Sequence, residues 1–359
     1  MNTDPEPVVV SAEPAPPKGR GTGRNPTPRY ARQSRESEPS HDEPSHPRTV
    51  VSIDATRSVL SRNDSPDLPF GQSLNPYRGC EHGCIYCFAR PSHAYLDLSP
   101  GLDFETRILA KPAAAELLVD ALRRPDYRCE VLAMGTNTDP YQPAERDWRI
   151  TRSVLEVLLD CRHPVAIVTK SARICRDLDL LGELARHELV SVFVSITTQD
   201  NDIARTLEPR AAAPAARLKA IARLTQAGVP TGVLVSPIVP ALTDHELEHI
   251  LQAAYDAGAR FAGFSLLRLP GEVAALFEDW LVQHHPLRAS RVMHAVRATW
   301  RGEVSSSAFG ARMRGHGPYA KLIAQRFALA SRRLAMSGAP RLVTRRFRPP
   351  AGGQLGLGV

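Results

Sequence analysis

The chain of 359 residues contains no apolar run long enough to cross a bilayer. Its opening, MNTDPEPVVVSAEPAPPKGRG, lacks both the basic start and the apolar stretch of a signal peptide, so a cytoplasmic protein with no membrane partner is expected. Cysteine is scarce. Of six residues, Cys80, Cys84 and Cys87 crowd into one short stretch, while Cys129, Cys161 and Cys175 are scattered. That distribution does not make a disulfide framework, and in a reducing compartment the crowding points to metal binding. Residues 1–50 lack apolar periodicity and hold ten of the 31 prolines, so they read as a disordered arm. Its stretch KGRGTGRNPTPRYARQSR is either a plain linker or a basic arm that touches a phosphate backbone.

Acid is nearly missing from the other end. Residues 288–359 carry fourteen Lys and Arg against the single acid Glu303, which leaves residues 51–287 at about −6. A basic C-terminal segment on an acidic body suggests an anionic partner, nucleic acid first. A solvated basic helix and tail is the competing reading.

A 43% hydrophobic content can build a substantial core. Short apolar runs alternate with amphipathic stretches. The segment around Leu74 reads as a first strand, followed by strands at Cys129–Met134, Val165–Lys170, Leu189–Thr197, Gly232–Val239 and Phe261–Leu269. Between them, Trp148–Leu159 and the stretch with Leu218, Ile221 and Leu224 have helical periodicity, as does Glu272–Val282 at the end. Thr243-x-x-Glu246 has the form of a capping box opening another helix. Six such units predict an α/β fold, a partial (β/α)6 TIM-like barrel over 51–287, with function in the loops after the strands' C-terminal ends. A basic helical extension is expected at 288–337, with Tyr319–Met336 covering the open edge, and a flexible tail at 338–359. Within that tail Gln354-Leu355-Gly356-Leu357 has the start, without the aromatic end, of a sliding-clamp docking peptide.

The chemistry centres on LNPYRGCEHGCIYCFAR, Leu74 to Arg90. C-x3-C-x2-C on a loop after the first strand can grip three corners of a [4Fe–4S] cube and leave one iron open for another ligand. Structural zinc is the rival; it wants four closed ligands, and the second C-x2-C knuckle is absent, leaving His82 or His93 as a fourth. The array, with Tyr86 before its last cysteine, resembles the radical S-adenosylmethionine superfamily. MGTNTDPYQPAE, VTKS, VSITT and TLEPRAAAP after the next strands are similar to its spore photoproduct lyase-related branch.

The resemblance implies that Cys80, Cys84 and Cys87 ligate the cluster. It implies cofactor contacts from Tyr86 on the adenine side, Thr138 and Asp139 at the methionine or ribose part, Lys170 at the carboxylate, and Ser195 near the ribose or carboxylate. It further implies that S-adenosylmethionine is cleaved to a 5′-deoxyadenosyl radical, with an electron donor such as flavodoxin or ferredoxin. Each of these side chains taken singly is also an ordinary solvated or satisfied group. Two departures argue against the lyase's own reaction. Thr136 stands where the lyase has a cysteine that quenches its substrate radical, and Phe88 stands where it has a tyrosine. Glu208 and Arg210 either face the cavity or pair with each other, His316 is a turn residue or a cavity residue, and Cys129 is a buried apolar residue. A non-catalytic iron–sulfur module that binds nucleic acid or senses redox state is the alternative from another class, and radical chemistry on a protein or small metabolite is the other rival.

Overall fold

The computed structural model describes residues 17–30, 47–306, 308–310 and 312–350. Ten strands occur in the described chain: β1 (Val50–Ile53), β2 (Leu60–Arg62), β3 (Gln72–Leu74), β4 (Tyr77–Arg78), β5 (Arg107–Ala110), β6 (Leu132–Met134), β7 (Val165–Thr169), β8 (Val190–Ser195), β9 (Thr231–Ile238) and β10 (Phe261–Leu266). Seven form one sheet in the order β10-β9-β8-β7-β6-β3-β2. From β3 to β10 every pairing is parallel and follows chain order; β2 adds an antiparallel edge. This is the six-unit α/β pattern, in a sheet whose two edge strands are not paired with each other. A small sheet, β1-β5-β4, braces the loop that follows β3.

The strands are buried on both faces, as a helix-covered parallel sheet requires: Val190, Val192 and Val194 on one face of β8 have no exposure, and Ser191 and Ser195 on the other are buried. The helices form where apolar residues recur at helical spacing. Helix Ile150–Asp160 buries Ile150, Val154, Leu155 and Leu158. It starts two residues later than the periodicity suggests because Arg149 is left-handed (φ 51) and breaks the chain after the short turn Glu145–Trp148. Helix Pro214–Gln226 begins on a proline, buries Ile221 and Leu224, and is followed by Gly228 at φ 76.

One expectation is corrected, and two terminal segments carry contacts that the sequence did not announce. Thr243 and Glu246 do not make a capping box: the Thr243 hydroxyl accepts the amide of Val239 (3.0 Å), and the Glu246 carboxylate is spent on the amide of Gln199 (2.6 Å). Residues 17–30 are not a featureless arm. Arg20 donates to the Glu105 carbonyl (3.0 Å) and to Thr49, Gly21 donates to the Glu105 carboxylate (2.9 Å), and the Arg24 carbonyl accepts from Leu102. Charge and glycine hold this segment, so apolar periodicity did not reveal it.

The tail is likewise laid down through residue 350. Val343 and Arg348 donate backbone bonds to Glu188 (3.1 Å) and Cys161 (2.8 Å), and the Phe347 ring packs against Tyr127 and His163. The Gln354–Leu357 motif lies outside the described residues.

Helix Gly317–Arg333 covers the β10 edge as expected. Phe327 meets Phe264 of β10 (4.6 Å between ring centroids), Arg326 pairs with Glu248, and Ser337 just beyond it bridges to Phe261. No helix among the described residues is long and apolar enough to cross a membrane.

Candidate active site

Cys80, Cys84 and Cys87 lie on the irregular loop between β4 and β5, and all three are free thiols, the first two buried. The loop is held from outside. The fully buried Arg90 donates to the carbonyls of Cys84 (2.9 Å), Gly83 (3.1 Å) and Gly101 (2.9 Å), and pairs with Glu105 (2.5 Å). Cys80 donates its amide to Phe104 (2.9 Å) and Ile85 to Leu207 (3.1 Å). Gln142 closes the loop's start by donating to Gly79 (3.1 Å) and accepting from Glu81 (2.9 Å).

The thiols sit in an environment that disfavours bare thiolate. Burial pushes all three up, and neighbouring Asp139 and Glu208 add to the effect at Cys80 and Cys84 respectively. Bound metal charge reverses that balance, because coordination deprotonates a thiol outright. Three such donors on one loop fit a cluster that takes each thiolate on a different iron. Structural zinc would need a fourth ligand beside them. Among the described residues no three His, Cys, Asp or Glu side chains are grouped about a single ion. His82 lies beside Asp139 (3.4 Å), and His93 meets the carbonyl of Arg107 through Nε2 (3.0 Å) while its buried Nδ1 has no partner among the described residues.

Lys170, Ser195 and Tyr86 come together at the C-terminal ends of β7 and β8. The Lys170 ammonium donates to the Ser195 hydroxyl (2.6 Å) and the Ser236 carbonyl (3.2 Å), and lies over the Tyr86 ring at 5.9 Å. Glu208 is 3.7 Å from it. The buried Glu208 carboxylate also takes the hydroxyls of Tyr86 and Thr197 and a guanidinium nitrogen of the buried Arg217. Burial opposes its ionisation, but Arg217, Lys170 and the Tyr86 hydrogen bond outweigh it and bring the carboxyl down to about 2. Arg217 further donates to the Ser195 carbonyl (3.0 Å), which ties the end of β8 to the turn carrying Glu208.

The remaining residues singled out by sequence are placed differently. Asp139 accepts from the Thr169 hydroxyl (2.7 Å) and from the amides of Lys170 (2.7 Å) and Tyr141 (2.8 Å), so it joins the ends of β6 and β7. Thr138 is buried and donates to the Tyr77 carbonyl (3.0 Å); Thr136 meets Asn75 (3.2 Å). Glu208 and Arg210 do not pair with each other: Arg210 reaches Glu81 (3.2 Å). His316 donates its amide to Thr299 and opens helix Gly317–Arg333. A cavity of about 360 Å³ lies alongside, lined by His82, Pro143, Ser171, Arg173, Arg210 and Ala212 among others.

Sequence reasoning missed Arg90, Arg217, Thr197 and Gln142. A buried arginine on a helix that carries other basic residues leaves no periodic signature. Its only signal is a buried acid elsewhere that needs a partner.

With this geometry in view, the comparisons with known proteins decide the family. The sequence model of the radical SAM superfamily matches residues 74–254. The chain belongs to the radical SAM superfamily. It is 40% identical over 232 residues to an uncharacterised protein of Mycobacterium tuberculosis (strain ATCC 25618 / H37Rv), covering 64% of this chain and 68% of that one. It is 26% identical over 213 residues to an uncharacterised protein of Methanocaldococcus jannaschii, covering 59% and 76%.

Among solved structures, spore photoproduct lyase complexed with dinucleoside spore photoproduct shares the fold, at a TM-score of 0.54 and 15% identity, with 80% of this chain and 79% of that chain covered. A mutant of the lyase with bound AdoMet and the dinucleoside matches at a TM-score of 0.53 and 14% identity over the same shares. The protein is therefore a radical SAM enzyme, and membership implies S-adenosylmethionine and an iron–sulfur cluster.

Proposed function

We propose that the enzyme reductively cleaves S-adenosylmethionine at a [4Fe–4S] cluster held by Cys80, Cys84 and Cys87, and that the hydrogen atom it then abstracts comes from a nucleic acid. The carrying observation is that three free thiols on one braced loop stand next to the Tyr86, Lys170, Ser195 and Glu208 network. When bound, the cluster supplies the single electron that splits the sulfonium into methionine and a 5′-deoxyadenosyl radical.

The chain's own residues do the rest. Lys170 is held extended by Ser195 and the Ser236 carbonyl, and offers a positive charge at a strand end, where a carboxylate fits. Glu208 keeps that ammonium oriented while Arg217 neutralises it, so the pair stays charged without solvent. Asp139 and Thr138 act by fixing the backbone after β6 rather than by reaching outward. Tyr86 is pinned through its hydroxyl, which sets the plane of its ring beside Lys170.

The fold shared with a lyase solved in complex with a dinucleoside and the basic residues within 288–333 support the substrate class. Thr136 and Phe88 argue for a different outcome from the lyase's. An exposed Phe88 has no hydroxyl to return a hydrogen atom, and the Thr136 hydroxyl is a poorer donor than a thiol.

The test is anaerobic reconstitution, dithionite reduction and measurement of 5′-deoxyadenosine. Wild type is expected to be brown and to form it. Cys84→Ala is expected to lose both colour and product. Lys170→Ala is expected to keep the colour and weaken S-adenosylmethionine binding about tenfold or more, the loss typical of a hydrogen bond to a charged group. A colourless wild type that holds zinc sinks the reading.

A further inference from the structure

Two phenylalanine rings stand out from the described surface, Phe88 at 46% exposure and Phe309 at 65%. Each is faced by an arginine. The guanidinium of Arg268 lies over Phe88, 4.5 Å from the ring centroid, and that of Arg312 lies over Phe309 at 5.3 Å. Phe88 directly follows Cys87, and Arg268 follows the C-terminal end of β10, so the array borders the mouth where function is expected in this fold.

The two arginines differ in one respect. Arg312 is anchored by Asp67 (2.9 Å) and Ser65. Arg268 is half-buried and has no carboxylate or other hydrogen-bond acceptor among the described residues. Burial and the field of Arg312 hold it below the ordinary value, with Cys87 opposing. Other partly buried arginines here, such as Arg152, Arg176 and Arg326, are paired with acids. Met313, next to Arg312, accepts the amide of Leu266 (3.4 Å), two residues before Arg268, so the two arginines stand on neighbouring segments and an anion placed between them would satisfy both.

We propose that this array is a substrate subsite for single-stranded nucleic acid: a phosphate seats between Arg268 and Arg312, and the flanking unpaired bases stack on Phe88 and Phe309. Bases stack on aromatic faces irrespective of sequence, and guanidinium groups grip phosphate, so the combination suits a strand rather than a free small metabolite. The inference rests on the nucleic-acid reading of the enzyme and locates it.

The test is fluorescence anisotropy of a short labelled single-stranded oligothymidylate on the reconstituted full chain, over a salt series. Arg268→Ala is expected to weaken binding about tenfold and to lower the salt slope by about one. Phe88→Leu and Phe309→Leu are each expected to weaken it about fivefold with the slope unchanged. Circular dichroism on the same samples checks the fold, and the exposed Phe309 serves if the Arg268 variant is unstable. Wild-type affinity in all three variants overturns the array. So does thymidine monophosphate competing as well as the strand does. Cleavage of S-adenosylmethionine by the wild type without oligonucleotide is read separately. Its absence sinks the proposed radical chemistry while the binding result stands, and its presence with unchanged variant binding sinks only the array.

Discussion

Glu208 shows how much of the site is decided by one buried charge. With Arg217 on one oxygen and Lys170 and Tyr86 near the other, its carboxyl is brought down to about 2 against 4.5 for an ordinary glutamate. A depressed folded value means that the ionised form stabilises the fold fully above pH 4.5, and that this contribution is lost as pH falls from there towards 2. Thermal melts of Glu208→Gln are therefore expected to be lower than wild type at neutral pH, by about 3 kcal/mol in stability, and to converge with it in that acid window. Equal melting temperatures at neutral pH would show the network to be dispensable.

Gly21 is a second residue-scale case. A Cβ there would lie 2.1 Å from the Gly83 carbonyl on the cysteine loop. Gly21→Ala is expected to cost about 1–3 kcal/mol and to lower the iron retained per chain after reconstitution. Unchanged iron with an unchanged melt would separate the arm from the loop. At this scale the sequence revealed Lys170, Ser195 and Tyr86, because strand ends and motif spacing locate them. It did not reveal Arg90 or Arg217, whose partners lie 15 and 9 residues away on other elements.

The strands were legible because parallel strands covered by helices on both faces are continuous apolar runs. All six that run parallel in the main sheet sit within a few residues of where such runs predict them. The element ends were less so. Glu246 was drawn from its expected capping role to the amide of Gln199, a tertiary demand that local spacing does not encode. The contacts of residues 338–350 were the least legible. RLVTRRFRPP has one aromatic and few apolar residues, yet Phe347 finds Tyr127 and His163, with ring centroids 5.5 Å and 5.4 Å away. Burial holds the His163 ring at about 4, only partly offset by its bond to the Pro164 carbonyl.

The neutral ring is therefore what the fold favours, and the stability it contributes is complete above 6.5 and lost as pH falls towards 4. Phe347→Ala opens that contact and is expected to cost about 2 kcal/mol at neutral pH, read by chemical denaturation. No change would return the tail to the flexible role first expected of it. The placement also redistributes the basic charge. Arg346 donates to the His187 carbonyl and meets Glu188 at 3.3 Å, at the start of β8, which is the end of the sheet opposite Lys170 and the cysteine loop.

For the molecule as a whole, the open sheet poses one problem, which is how its two edges are held when β10 and β2 do not pair. Helix Gly317–Arg333 covers the face of the β10 edge, and the segment just before it runs across the gap. Val304 and Met313 accept the amides of Leu269 (3.0 Å) and Leu266 (3.4 Å) on the β10 side. Gly310 and Arg312 meet Asp67 (2.6 Å and 2.9 Å), which belongs to the turn between β2 and β3 on the other side. The Asp67 carboxylate, with the Ser65 hydroxyl on Arg312, thus ties the strap to the far edge.

Loss of such a partly buried, charge-assisted contact is worth about 1–2 kcal/mol to the local closed state and little to the global fold, because the strap buries few apolar side chains. Asp67→Asn is expected to speed hydrogen exchange at the amides of Leu266 and Leu269 about tenfold while the melting temperature stays within about a degree. It should also loosen Arg312 and so weaken oligothymidylate binding. If exchange at those two amides is unchanged, the strap is held from the β10 side alone and the two edges are independent.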